Sequence, residues 1–111
     1  MTLTEEKSGE ILILGPIGKI DSVNSKVLLE KITEIIDGGT RFLLLDFAGV
    51  TYINSTGLRA LMLATKRLGG SGGKLILAAV NDQILRVFKI SGLTSFLAVR
   101  STKAEALASF Q

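Results

Sequence analysis

The chain has 111 residues, 47% hydrophobic and 21% charged, with a net charge of +3 and no cysteine, histidine or tryptophan. That length suits one domain over residues 1–111, able to bury roughly two-thirds of its unfolded surface around a single core. Without cysteine there is no disulfide, thiolate metal site or cysteine nucleophile. Without histidine the commonest general base and the usual metal ligand are missing, so hydrolases built on Ser-His-Asp or Cys-His pairs are excluded.

Mean hydropathy is high, +0.45, yet the longest strictly apolar run covers only residues 75–80, far short of the ~20 a bilayer requires. Residues 1–7 are polar and acidic, with no apolar segment of a secretory signal. A cytoplasmic chain with no membrane span is expected. The charge is uneven: five basic and eight acidic residues lie up to Leu58, eight basic and two acidic from Arg59 onward. Aromatic residues are 5% and no arginine-rich run occurs, so no direct nucleic-acid partner is expected. Dispersed solvated cations and an acidic protein partner both fit the basic half.

In chain order, residues 10–20 read as a strand, with Gly15-Pro16 marking a bend or bulge, and an additional edge strand can precede Ser8. Val23, Val27, Leu28, Ile32, Ile35 and Ile36 follow a helical period, with Asp21 or Ser22 as N-cap and Asp37-Gly38-Gly39 as the stop. Residues 42–47 are apolar nearly throughout, as in a central strand covered on both faces. Residues 55–68 form the second helix, with Leu58, Leu61, Met62, Thr65 and Leu68 on one stripe. The glycine cluster at 69–73 ends it, and residues 74–80 form another buried strand. Asn81 or Asp82 caps a third helix that turns Ile84, Leu85, Val87, Phe88 and Ile90 inward. A short strand follows at 96–99, then a terminal helix opened by Ser101 or Thr102 with Ala104, Leu107, Ala108 and Phe110 on its apolar face. This alternation predicts an α/β domain: a mostly parallel sheet of four to five strands with about four helices.

Three segments invite chemistry. The run Gly69-Gly70-Ser71-Gly72-Gly73-Lys74 lacks the spacing of a phosphate loop and leads from helix into strand, not from strand into helix. A flexible helix exit explains it. Asp46, near the end of a central strand, lacks the neighbouring carboxylates a phosphoryl-accepting aspartate uses to hold magnesium; a carboxylate satisfying turn amides is expected. The third segment is Asn54-Ser55-Thr56-Gly57, where the chain passes from loop into helix. Capping asks for one such residue, and glycine allows close backbone approach. The surplus of hydroxyls at a helix start is the pattern of a modification site.

Together with Gly18-Lys19-Ile20-Asp21, Leu43-Leu44-Leu45-Asp46-Phe47-Ala48-Gly49-Val50, Gly73-Lys74-Leu75-Ile76-Leu77 and Phe88-Lys89-Ile90-Ser91-Gly92-Leu93, this segment resembles the STAS domain of single-domain anti-sigma factor antagonists. The likeness is collinear over about nine-tenths of the chain. It implies a non-enzymatic switch protein without metal or cofactor. Such a protein binds an anti-sigma factor with serine kinase activity, releases a sigma factor, and is switched off by phosphorylation until a serine phosphatase restores it. By motif position the acceptor is Ser55, with Thr56 the alternative. The implied contact surface comprises Asp21, Asn24, Asn54, Ser55, Thr56 and Gly57; beside it the cations Arg59, at i+4 from Ser55, and Lys66 are expected to meet acidic groups of the kinase. The family usually has aspartate before the serine; Asn54 keeps the hydrogen-bond acceptor and drops the charge. Two other roles known in STAS proteins stay open: a scaffold subunit of a larger signalling assembly, and an accessory subunit of a lipid-transport ABC system.

Overall fold

In the computed structural model, which describes residues 1–111, the apolar runs become the central strands of a six-stranded sheet. The elements are β1 (Thr2–Ser8), β2 (Ile11–Ile20), α1 (Ser22–Asp37), β3 (Phe42–Asp46), β4 (Val50–Ile53), α2 (Ser55–Gly70), β5 (Lys74–Ala78), α3 (Asp82–Ile90), a 3-10 turn (Leu93–Ser95), β6 (Ala98–Arg100) and α4 (Lys103–Ala108). The sheet order is β1-β2-β3-β5-β6, with β4 also pairing β2. Only β1–β2 is antiparallel; the other pairs are parallel.

The central strands β3 and β5 are apolar from Phe42 to Leu45 and from Leu75 to Ala78 because both faces are covered. Leu12, Leu14, Leu43, Leu45, Leu75 and Leu77 pack against α1, α2 and α3 through Leu28, Ile32, Leu61, Leu68, Ile84 and Phe88. The alternate residues Ile13, Leu44 and Ile76 point the other way and meet Ala106 of α4, as the two-residue period of a strand dictates. At the rim of that smaller layer Phe42 and Phe110 pack edge to face, 5.9 Å between ring centroids.

The sixth strand, beyond the four or five expected, is β4. Its four residues carry no alternation, with Val50 and Ile53 buried around exposed Thr51 and Tyr52, so the pattern reads as loop. It forms because β2 outruns β3. The turn at 47–49 is closed by the amide of Ala48 donating to Asp46 Oδ1 at 3.0 Å and that of Val50 to the Phe47 carbonyl, the turn role expected of Asp46. Beyond it β4 resumes pairing with β2 across a register shift at Gly18/Lys19, where Gly18 takes φ +100°.

Other expectations shift in detail. Val23, Val27 and Ile90 are exposed, because they lie off the stripes set by Leu28, Ile32 and Ile35 in α1 and by Ile84 and Phe88 in α3. In α4 the buried residue is Ala106, while Ala104 and Ala108 face solvent. The last strand runs 98–100, since Phe96 and Leu97 still belong to the turn after Leu93.

Glu5 and Glu6 of β1 point to opposite faces of the sheet. Lys31 of α1 meets Glu5 at 3.1 Å, and Lys103 of α4 holds Glu6. The hydrogen bond to Glu5, and then the charge of Glu34, hold Lys31 above the usual 10.5; the hydrogen bond to Glu6 does the same for Lys103. A lysine pKa raised by folding adds stability fully present below the unfolded value. That stability is lost as pH climbs through the raised one, so on the lysine side both clasps hold at neutral pH and open in strong alkali.

Phe88 is fully buried where three elements converge. Phe88→Ala should cost about 3–5 kcal/mol and lower Tm by roughly 15 °C or more, measured by calorimetry.

Candidate functional site at the start of the second helix

Asn54 follows β4 directly. Its amide donates to the Ile20 carbonyl at 3.1 Å, which ties the start of α2 to the end of β2. Its side-chain Oδ1 caps the helix by accepting from the Gly57 amide at 2.9 Å. Gly57 is buried against β2 and β4: a Cβ there would lie 2.6 Å from Ile53 Cγ1 and 3.0 Å from the Ile20 carbonyl oxygen. Only glycine lets the helix begin this close to the sheet.

Helix α1 starts beside it. Asp21 caps α1 by accepting from the Asn24 amide at 2.9 Å, and Asn24 Nδ2 donates to the Lys19 carbonyl at 2.8 Å. Ser22 bridges the two helix starts. Its Oγ accepts from Asn54 Nδ2 at 3.3 Å and donates to Thr56 Oγ1 at 3.4 Å; both distances are at the weak end of hydrogen bonding. Ser55 and Thr56 are exposed. Thr56 turns toward α1, whereas Ser55 lines a groove of about 320 Å3 on the other flank of α2 with Leu58, Arg59, Met62, Lys66 and Leu93.

Of the residues expected at the site, Asp21, Asn24, Asn54, Ser55, Thr56 and Gly57 gather where α1 and α2 begin. Arg59 stands one turn further along α2, and Lys66 two turns beyond that, about 10 Å from Arg59. Arg59 borders both grooves that flank the helix, the second formed with Ser22, Lys26 and Leu29 of α1. Lys66 Nζ lies over the Phe96 ring, 5.9 Å from its centroid. Sequence reading missed Ser22, Lys26 and the exposed apolar pair Leu63 and Phe96. A long-range bridge such as Ser22–Thr56 leaves no local signal, although Leu63 falls at i+4 from Arg59.

Two other segments stand apart. Gly73 brings the exit of α2 against the start of β3, since a Cβ there would sit 2.2 Å from the Arg41 carbonyl oxygen, and Gly72 takes φ +85°; the helix exit accounts for these two glycines without a phosphate. The largest cavity, about 450 Å3, opens between α3 and β6 among Asp82, Leu85, Leu97 and Arg100. It contains none of the expected residues, and the chemistry suggested by the sequence lies at α2.

Comparison with known proteins places this geometry. The family model described as STAS domain matches residues 3–106. BtrV of Bordetella bronchiseptica is 33% identical over 111 residues, covering 100% of this chain and 96% of that protein. The anti-sigma-B factor antagonist of Staphylococcus aureus is 31% identical over 98 residues, 88% of each. Among solved structures, the Bacillus cell fate determinant SpoIIAA in its phosphorylated form superposes with a TM-score of 0.75 at 20% identity, over 99% of this chain and 100% of that one.

Loss of the cap should cost Asn54→Ala about 1 kcal/mol. Gly57→Ala should cost more, about 1–3 kcal/mol, because a methyl must displace Ile53 or the β2 backbone. Urea titration of both variants checks the order.

Proposed function

The chain belongs to the STAS domain family, and we propose that within it this protein is an anti-sigma factor antagonist switched off by phosphorylation of Ser55. The exposed Ser55 hydroxyl, on the first turn of a helix whose outer face carries Arg59 and Lys66 and no acidic residue, is the observation that carries the reading. The names of its relatives support the same class. The contact surface is the outer side of α2, with Asp21, Asn24 and Asn54 at its head. The partner is an anti-sigma factor with serine kinase activity. That enzyme transfers the terminal phosphoryl group of ATP to Ser55 Oγ: the new P–O bond forms as the bond to ADP breaks, and the hydroxyl proton passes to a base of the kinase. A serine phosphatase reverses the change by hydrolysis. ATP and its metal belong to the kinase, and this chain performs no catalysis.

Electrostatics explain why one hydroxyl suffices. Phosphorylation adds a charge of about −1.5 to −2 and three acceptor oxygens. The exposed amides and dipole at a helix start tolerate that charge, so the fold need not change. At a packed interface the same group must be desolvated and breaks the contact. Arg59, at i+4 from Ser55, is within reach of the phosphate. In the unmodified state Arg59 and Lys66 face acidic groups of the kinase, and phosphoserine draws Arg59 away from them.

Ser55 is tested by incubating wild type and Ser55→Ala with the purified kinase and ATP and weighing both intact. One phosphate on wild type and none on Ser55→Ala is expected; equal gain in both, or none in either, removes Ser55 from the role. Arg59→Ala should weaken binding of the unmodified form about fivefold, mainly at low salt, as read by calorimetric titration. Unchanged affinity for both modified and unmodified forms rejects the basic contact.

A further inference from the structure

The hydrogen bonds of Asn54 fix which way its amide faces. Oδ1 accepts from the Gly57 amide, a group that can only donate, so Nδ2 must face Ser22. Ser22 Oγ then accepts a hydrogen bond from Asn54 Nδ2 and donates its own to Thr56 Oγ1. An aspartate at position 54 would invert this chain. Neither carboxylate oxygen donates, so Ser22 would turn its proton to residue 54, and a full negative charge would stand next to Ser55.

We propose that Asn54 tunes the charge of the modified site: a neutral cap leaves the phosphate on Ser55 with no adjacent carboxylate, so it is more fully dianionic at neutral pH than an aspartate at 54 would allow. This rests on the reading that Ser55 is phosphorylated. Around that position α2 contributes Arg59, with Lys66 three turns from Ser55 at the far end of the groove, and the 3-10 turn and its approach contribute uncharged Leu93 and Ser91. Helix α1 contributes Lys26. The one carboxylate at the head of these helices, Asp21, accepts from the Asn24 amide at the start of α1. Cations and two helix starts thus favour the second ionisation of the phosphate, and with asparagine at 54 no neighbouring residue on α2 opposes it. Modification takes the motif from neutral to about −2 in one step, which makes the unmodified and modified surfaces as different as a single phosphate can make them.

The test places phosphoserine at position 55 during translation, with no kinase involved, and follows its phosphorus resonance through a pH titration. In the otherwise wild-type chain the second ionisation should fall at or below the value of about 6 typical of phosphoserine. Asn54→Asp, which keeps an N-cap residue, should move it up by about 0.5 to 1, the effect of a unit charge about 6 Å away in a dielectric near that of water. Asn54→Ser, a neutral cap, should titrate like wild type. An Asn54→Asp chain titrating at or below wild type overturns the proposal, as does an Asn54→Ser chain that shifts as far as Asn54→Asp. Because the phosphate is installed directly, a chain that titrates as expected yet gains nothing from the kinase leaves this inference standing and refutes the assignment of Ser55 as substrate.

Discussion

The length mismatch between β2 and β3 organises the molecule. Ten residues of β2 face five of β3, and the free half of β2 must find hydrogen bonds elsewhere. The turn at 47–49 supplies β4 to that half, with Gly18 donating to the Gly49 carbonyl at 2.8 Å across the junction. Gly49 permits it, since a Cβ there would lie 3.1 Å from Ile17 Cγ1. The pairing delivers Asn54 to the Ile20 carbonyl, so α1 and α2 both begin at the end of β2. The hydroxyls and caps that give the site its chemistry are neighbours because one strand is longer than its partner.

Much of this was legible beforehand, for identifiable reasons. Unbroken apolar runs at residues 42–45 and 75–77 announced strands buried on two faces. The caps Asp21, Asn54, Asn81 and Thr102 each bond an amide three residues on, a local rule that sequence carries. What sequence could not carry was non-local. β4 is a strand only because β2 waits for it, and its own four residues say nothing of the kind. Val23 and Ile90 fit a helical period within a residue or so, yet a rotation of roughly one position decides whether such a side chain meets the core. The Ser22 bridge joins residues 34 apart in the chain, and neither neighbourhood signals the other.

The uneven charge of the chain resolves into two populations of cations. Arg67 pairs with Asp37 at 3.5 Å, Lys103 holds Glu6, and Lys74 and Arg100 bond Ser109 near the terminus. These tie the basic second half back onto the acidic first half or onto the small layer beneath α4. Arg59 and Lys66 instead lie on the outer side of α2, around exposed Leu63. The net charge of +3 is therefore a poor guide to the surface, since Arg67 and Lys103 are paired with carboxylates of the first half while Arg59 and Lys66 are not.

The two glutamates of β1 also act as a register lock. β1 is an edge strand, and edges invite both sliding and pairing with foreign chains. A slip of one position would send Glu5 toward α4 and Glu6 toward α1, parting each from its lysine and exchanging the faces of every residue between Thr2 and Ser8. Because the two partners belong to helices on opposite sides of the sheet, no rotation of the strand can satisfy one while losing the other. The edge is thus read from both sides at once, and the native alignment is the one that seats both glutamates on their lysines.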